Sequence, residues 1–244
     1  MNKQRLDKTI SSQGLWSRKD AKTLIRKGLV CVNGVVQKSA DAYVDWDSDS
    51  VTVEGKALQL QQHVYLMLNK PKGVVSATND ARVKTVIDLV PDEYKNRNLF
   101  PAGRLDITTT GFVLITDDGD FAHRILSPKN HIEKTYEARL AEAVTEKQLK
   151  EVAEGITLGD GTECMPAKLR VLEDGNNPLV EIKICEGKYH QIKRMFAAAG
   201  NGVIELRRTK MGALELDGNL PEGECRKLTD DEVLMIESRC DECF

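Results

Sequence analysis

A chain of 244 residues, 41% hydrophobic and 30% charged, has the size of one or two domains and an ordinary globular balance. No apolar run reaches the roughly 18 residues of a membrane span, and Met1-Asn2-Lys3-Gln4-Arg5 leads into no apolar stretch, so neither a membrane helix nor a signal peptide is expected. The net charge of −3 would argue against a nucleic-acid partner, but nine basic residues stand against Asp7 and Asp20 in residues 1–38, and seven against Glu186 and Glu205 in residues 183–210. Local basic clusters matter more for phosphate binding than the total.

The first 60 or so residues read as a compact αα-β unit. Ser17 can cap a helix with Asp20 completing a short-armed capping box, Ala21, Leu24 and Ile25 give its apolar face, and Gly28 ends it. Leu29–Val32 and Val35-Val36 flank Asn33-Gly34, a hairpin signal because a type I′ turn needs positive φ at both central residues. Val51–Val53 supplies a further strand, and residues 57–63 read as a linker. Beyond it, Val64–Leu68 and Phe112–Thr116 read as strands, the second closed by Asp118-Gly119. Thr145 with Gln148 opens a helix ending near Gly155, Leu179–Cys185 alternates as a strand, and His190–Ala199 reads as a helix stopped by Gly200. Val203–Arg207 is a strand, and Thr229 with Glu232 starts a final helix. Strands interspersed irregularly with helices predict an α+β fold with a mixed, mainly antiparallel sheet flanked by helices. The expected division is residues 1–60, a body over 61–236, and an acidic tail over 237–244.

Six scattered cysteines are too sparse for a disulfide scaffold and suit a reducing cytoplasm. Cys240-x-x-Cys243 has metal-like spacing but lacks the second pair of a structural zinc site, so no metal is expected.

Three segments could carry function. Arg18, Lys22 and Arg26 fall at i, i+4 and i+8 on one helix. Like charges there repel by a few tenths of a kcal/mol per pair, so the stripe suits a polyphosphate partner, although a solvated face reads equally well. Asp106 lies among hydroxyls in Gly103–Gly111, where an ionised catalytic carboxylate and a plain Asx turn both fit. Gly187–Met195 places cations at a helix start, against the dipole, which an acid or phosphate nearby would relieve. His190 there reads as a turn or capping residue.

Together these segments resemble known families. Arg5-Leu6-Asp7-Lys8 with the spaced positions from Ser17 to Gly34 resembles the S4 RNA-binding domain. Gly103–Gly119, Glu133-Lys134-Thr135-Tyr136 and Gly187–Met195 resemble the RsuA/RluA-type pseudouridine synthases, and Asn69-Lys70-Pro71-Lys72-Gly73 behind an S4 module narrows this to the RsuA branch. The resemblance implies a cofactor-free isomerisation without metal. Asp106 matches the catalytic acid, Lys193 the basic residue beside it, where most relatives have Arg, and Arg194 is the reserve for that role. Tyr136 matches the active-site tyrosine, Leu206 an apolar residue against the target base, and Arg104 a residue that holds the flipped state. Arg18, Lys22 and Arg26 would dock on RNA. Tyr189-His190 and Phe196-Ala197-Ala198 point to the small-subunit side of the family, although Thr108 stands where that pattern has an acid. The implied partner is ribosomal RNA, 16S in preference to 23S, free or in a partly assembled small subunit. A cytoplasmic monomer with no membrane association is expected. A non-catalytic S4-type assembly factor and a nucleoside hydrolase releasing uracil are the alternatives, and the product decides among them.

Overall fold

The computed structural model describes residues 3–238. The chain divides into two compact units, one of Met1–Val64 with Val90–Leu99, the other of Tyr65–Leu89 with Phe100–Phe244.

In the first unit, β1 (Lys3–Arg5) leads into α1 (Leu6–Ser12) and α2 (Arg18–Arg26). Both arms of the expected capping box form: the Ser17 side chain accepts from the Asp20 N–H, and the Asp20 carboxylate accepts from the Ser17 N–H. β2 (Val30–Val32) and β3 (Val35–Val36) make the hairpin, with φ of 50° at Asn33 and 78° at Gly34, as a type I′ turn requires. β4 (Tyr43–Asp45) pairs β1, while β5 (Val51–Val53) bridges β2 and β6 (Lys56–Leu58). The start of the expected 57–63 linker is therefore strand, because β5 offers Lys56–Leu58 a free edge. Leu6, Ile10, Ala21, Ile25, Val30 and Val51 form the core of this unit.

Residues 90–99 belong to this unit although they lie inside the span 61–236. Asn96 donates to the Gly14 carbonyl at 2.9 Å, and the Arg97 guanidinium donates to the Gln62 carbonyl at 2.9 Å.

The second unit is built on a mixed sheet that is mainly antiparallel. It contains β7 (Tyr65–Lys70), β8 (Phe100–Ala102), β9 (Thr110–Thr116), β10 (Lys134–Leu140), β11 (Lys168–Glu173), β12 (Leu179–Ile184), β13 (Val203–Met211), β14 (Leu214–Glu215) and β15 (Cys225–Lys227). The strand order is β11-β12-β10-β13-β9-β7-β15, with β14 on β13 and β8 on β9. The helices are α3 (Gly119–Leu126), α4 (Glu146–Glu154), α5 (Gln191–Ala198) and α6 (Asp230–Glu237). α4 and α6 have the expected Thr145/Gln148 and Thr229/Glu232 capping boxes. Met67, Phe112, Leu114, Phe121, Ile125 and Ile236 pack together in the core.

Some elements differ from expectation. Asp118 caps α3, accepting from the Phe121 N–H at 2.9 Å, instead of simply closing β9. The strand carrying Tyr136 was not anticipated. It lies centrally between β12 and β13 and is buried over most of its length, so its alternation is muted. β13 runs four residues further than expected, to Met211. Of the expected acidic tail, Glu237 ends α6. Residues 239–244, including Cys240 and Cys243, lie outside the described residues.

One junction of the sheet is parallel. β13 meets β9 at Arg207↔Thr110 and Arg208↔Gly111. Gly111 has φ +98°, and a Cβ there would lie 2.2 Å from the Arg208 carbonyl oxygen. Only glycine allows this approach, which brings the end of the Gly103–Gly111 loop beside the strand of Leu206 and Arg208.

Candidate active site

The loop between β8 and β9 carries Asp106, and its backbone is tied from several sides. The Ser76 hydroxyl donates to the Leu105 carbonyl and accepts from the Leu105 N–H, each at 3.0 Å. Gly73 N–H donates to the Ile107 carbonyl at 2.9 Å. The ammonium of Lys70, fully buried at the end of β7, donates to the carbonyls of Thr109 at 2.8 Å and of Asp106 and Pro71 at 3.1 Å. In the sequence Lys70 stands out only as part of Asn69-Lys70-Pro71-Lys72-Gly73. Its role is to satisfy loop carbonyls from within, which no local pattern announces.

The Asp106 side chain does not fold back as an Asx turn. Oδ2 lies 3.2 Å from Lys193 Nζ, and Oδ1 lies 3.2 Å from His190 Nε2. Lys193 also donates to the Thr108 hydroxyl at 2.8 Å, so its point charge is shared with a neutral acceptor. Lys193, near the start of α5, thus meets the acid that a cation placed against the helix dipole calls for. His190 occupies the N-cap position with φ 49°, yet its ring reaches the carboxylate. Reading it only as a turn or capping histidine missed this second partner, because the left-handed backbone aims the ring across the cleft.

Asp106, Arg104, Tyr136 and Leu206 line one cavity of about 70 Å³ beside His190. Tyr136 is buried on β10, with its hydroxyl 3.5 Å from an Arg208 nitrogen and its ring 5.9 Å from the guanidinium carbon. Arg208, also buried, donates to the Phe112 carbonyl at 2.7 Å. It was not anticipated, because an Arg-Arg pair on a strand reads as surface until the register turns one of them inward.

Arg194 is not a partner of Asp106. Its guanidinium lies 2.5 Å from Asp160, whose carboxyl is held down at about 2 by hydrogen bonding to Thr162 and then to Arg194. One helical step from Lys193 carries it to a different side of α5. In the first unit, Arg18 and Lys22 are not a bare stripe. Arg18 lies 3.1 Å and Lys22 3.8 Å from the buried carboxylate of Asp7, which Arg5 also contacts. Burial alone would raise the Asp7 carboxyl, but the hydrogen bonds of Arg5 and Arg18 outweigh it and the net shift is downward. Arg26 is exposed and turned to the Lys22 carbonyl and Thr23.

Residues 64–198 match the RNA pseudouridylate synthase family. The chain belongs to this family. Residues 4–44 match the S4 domain. The synthase is 42% identical over 233 residues to uncharacterized RNA pseudouridine synthase YtzG of Bacillus subtilis, covering 95% of this chain and 98% of that protein. It is 43% identical over 231 residues to ribosomal small subunit pseudouridine synthase A of Haemophilus influenzae, covering 94% and 97%. A crystal structure of a pseudouridylate synthase superposes with a TM-score of 0.66 at 42% identity, covering 95% of this chain and 99% of that one. Among the described residues, no helix is long and apolar enough to cross a membrane.

The synthase buries two lysines near the site, and this sets a pH dependence. Burial pushes the ammonium of Lys70 down to about 8, and burial followed by the Arg208 charge pushes Lys134 down to about 8. For such a base the unfolded chain binds more protons between about pH 8 and 10.5, so its contribution to stability rises with pH there. Burial also pushes the Cys225 thiol up to about 12, which works in the opposite direction above about pH 9. A variant isolates the lysine. Lys134→Met is expected to be more stable than the parent at pH 7 by about 1–3 kcal/mol, with the gain shrinking steadily toward pH 10. Urea unfolding of both proteins at pH 7, 8.5 and 10 measures this, and a pH-independent difference would refute it.

Proposed function

We propose that this synthase isomerises a single uridine in 16S ribosomal RNA, at the position 516 expected for the small-subunit type, acting as a cytoplasmic monomer on free RNA or a partly assembled small subunit. The observation that carries the reading is the Asp106 carboxylate, held between Lys193 and His190 at a cavity lined by Tyr136 and Leu206. The small-subunit preference is supported by relatives named ribosomal small subunit pseudouridine synthase A, 42–44% identical over 94–95% of the chain.

A stacked uridine hides C1′ and C5, so the base must leave the helix, at a cost of a few kcal/mol. Exposed Arg104 and the His190 ring stand at the rim of the cavity that the base enters. Arg104 then holds the flipped nucleotide. Asp106 acts on the ribosyl carbon as nucleophile or as stabiliser of developing positive charge, with Lys193 positioning it. The N1–C1′ bond breaks, the base turns against Tyr136 and Leu206, and the C5–C1′ bond forms. C5 loses its proton and N1 gains one, so mass is unchanged.

The test is to incubate purified enzyme with 16S and 23S rRNA, each naked and protein-bound, and to map pseudouridine by carbodiimide primer extension. Modification of one 16S uridine is expected. Modification confined to 23S rRNA would sink the small-subunit assignment.

The S4 domain contributes affinity and placement. Deleting residues 1–56 would also remove the Gly14 carbonyl that Asn96 contacts, so a point substitution is the cleaner probe. Arg26→Ala, which leaves the Asp7 cluster intact, is expected to weaken RNA binding uniformly and to lower the slope of log affinity against log salt by roughly one. An unchanged slope in a filter-binding series would remove Arg26 from the interface.

A further inference from the structure

Beside the cavity of Tyr136 and Leu206 lies a second, wider one. The two share Arg104, Leu105, Asp106 and His190, so they are continuous around the catalytic carboxylate. The outer one is also lined by Val75, Asp80, Ile107 and Tyr189, and has a volume of about 720 Å³. Tyr189 is 72% exposed, the most exposed of the large apolar and aromatic side chains described, and Ile107 is 42% exposed.

Tyr189 is not simply a loose surface side chain. Its ring stacks on His190, with centroids 3.8 Å apart and an interplanar angle of 19°. The opposite edge of His190 reaches Asp106. The backbone beneath is fixed as well. The buried Gln191 side chain accepts from the Lys188 N–H at 3.0 Å and donates to buried Glu186 at 2.6 Å, and Glu186 accepts from the Met165 N–H at 2.9 Å. His190 keeps its left-handed φ of 49° within this frame, a conformation that must be held by its surroundings. One ring face of Tyr189 is therefore covered by His190, and the side chain is an exposed wall of the groove beside Asp106.

We infer that this outer groove binds the unpaired nucleotide immediately adjoining the target uridine, with its base stacked on Tyr189. The inference rests on the proposed role of Asp106. Continuity with the inner cavity makes the next nucleotide of the same strand the occupant. A rigid exposed aromatic suits a base, because every base has a π face to stack. Arg104, exposed on the shared rim, suits its phosphate, while Val75 and Ile107 add apolar lining; Lys188 on the same rim is already paired with Glu186. Stacking tolerates any base, so the groove selects strand conformation: it takes RNA in which the neighbour of the target is also unstacked. Because Tyr189 packs on His190, filling the groove also presses the ring that contacts Asp106.

The experiment uses the full-length protein and an RNA oligonucleotide containing the mapped uridine, with 2-aminopurine placed on its 5′ or its 3′ side. Binding to wild type is expected to quench the fluorophore at one of the two placements. Tyr189→Phe should retain the quenching, and Tyr189→Ala should lose it and raise KM about tenfold or more. An abasic residue at that placement should raise KM for wild type by a similar factor and should add little in Tyr189→Ala. Equal fluorescence of the wild-type and Tyr189→Ala complexes at both placements, or KM effects that multiply, overturns the inference. Quenching that depends on Tyr189 without any pseudouridine formed would instead overturn the proposed reaction and support the groove.

Discussion

Asp106→Asn is expected to lower isomerisation by at least about a hundredfold, roughly 3 kcal/mol of barrier, while RNA affinity stays nearly unchanged. The substitution keeps size and loses the charge. Lys193 and His190 would still surround the amide, so the loop should hold its place through Ser76 and Lys70, which contact its backbone. A neutral amide neither attacks the ribosyl carbon nor offsets developing positive charge there. Because the substitution removes a negative charge beside Lys193, it does not add repulsion against RNA phosphates. Single-turnover assays on 16S rRNA, paired with equilibrium binding, separate the two effects. Retention of more than about a hundredth of the parent rate would count strongly against a role for Asp106 in the chemistry.

Gly111→Ala is expected to cost more stability than any change in the loop side chains, about 4 kcal/mol or more, enough to send much of the protein to the insoluble fraction. Two penalties add. The φ of +98° is a region that an L side chain rarely adopts. The new Cβ would also lie 2.2 Å from the carbonyl oxygen and 2.9 Å from the nitrogen of Arg208. Both are backbone atoms, so no flexible side chain can give way. Relief requires β9 and β13 to part at their parallel junction, opening the sheet between Asp106 and Leu206. Gly119→Ala is the control: it lies at the start of α3 with nothing near its Cβ and should be neutral or stabilising by up to about 1 kcal/mol. Thermal melts of the three proteins measure the contrast. A Gly111→Ala protein melting close to the parent would mean that the β9–β13 approach is not needed for folding.

Much of the local architecture was legible in the sequence, because it is decided by neighbouring residues. The three capping boxes at Ser17, Thr145 and Thr229 and the Asn33-Gly34 turn each satisfy backbone groups within a few positions. The family resemblance also singles out Asp106, Tyr136, Lys193, Arg104 and Leu206 as expected site residues, and the structure sets Asp106 against Lys193 and lines one cavity with Asp106, Arg104, Tyr136 and Leu206. What determined these features lies within short stretches of chain.

The tertiary structure decided what depends on register and reach. Whether Arg194 or Lys193 meets Asp106 is settled by one step around α5, about 100° of rotation, which sends Arg194 to Asp160 instead. That His190 contacts Asp106 depends on a left-handed backbone at the helix start. Lys70 acquires its role only when β7 packs beside a loop some 36 residues later in the chain, and Asp7 claims Arg18 and Lys22 only when α1 and α2 pack together. Residues 90–99 join the first unit through contacts with Gly14 and Gln62. Each of these is a pairing of distant charges or carbonyls. A linear pattern shows that such groups are present, but only the packed chain shows which of them are close enough to satisfy one another.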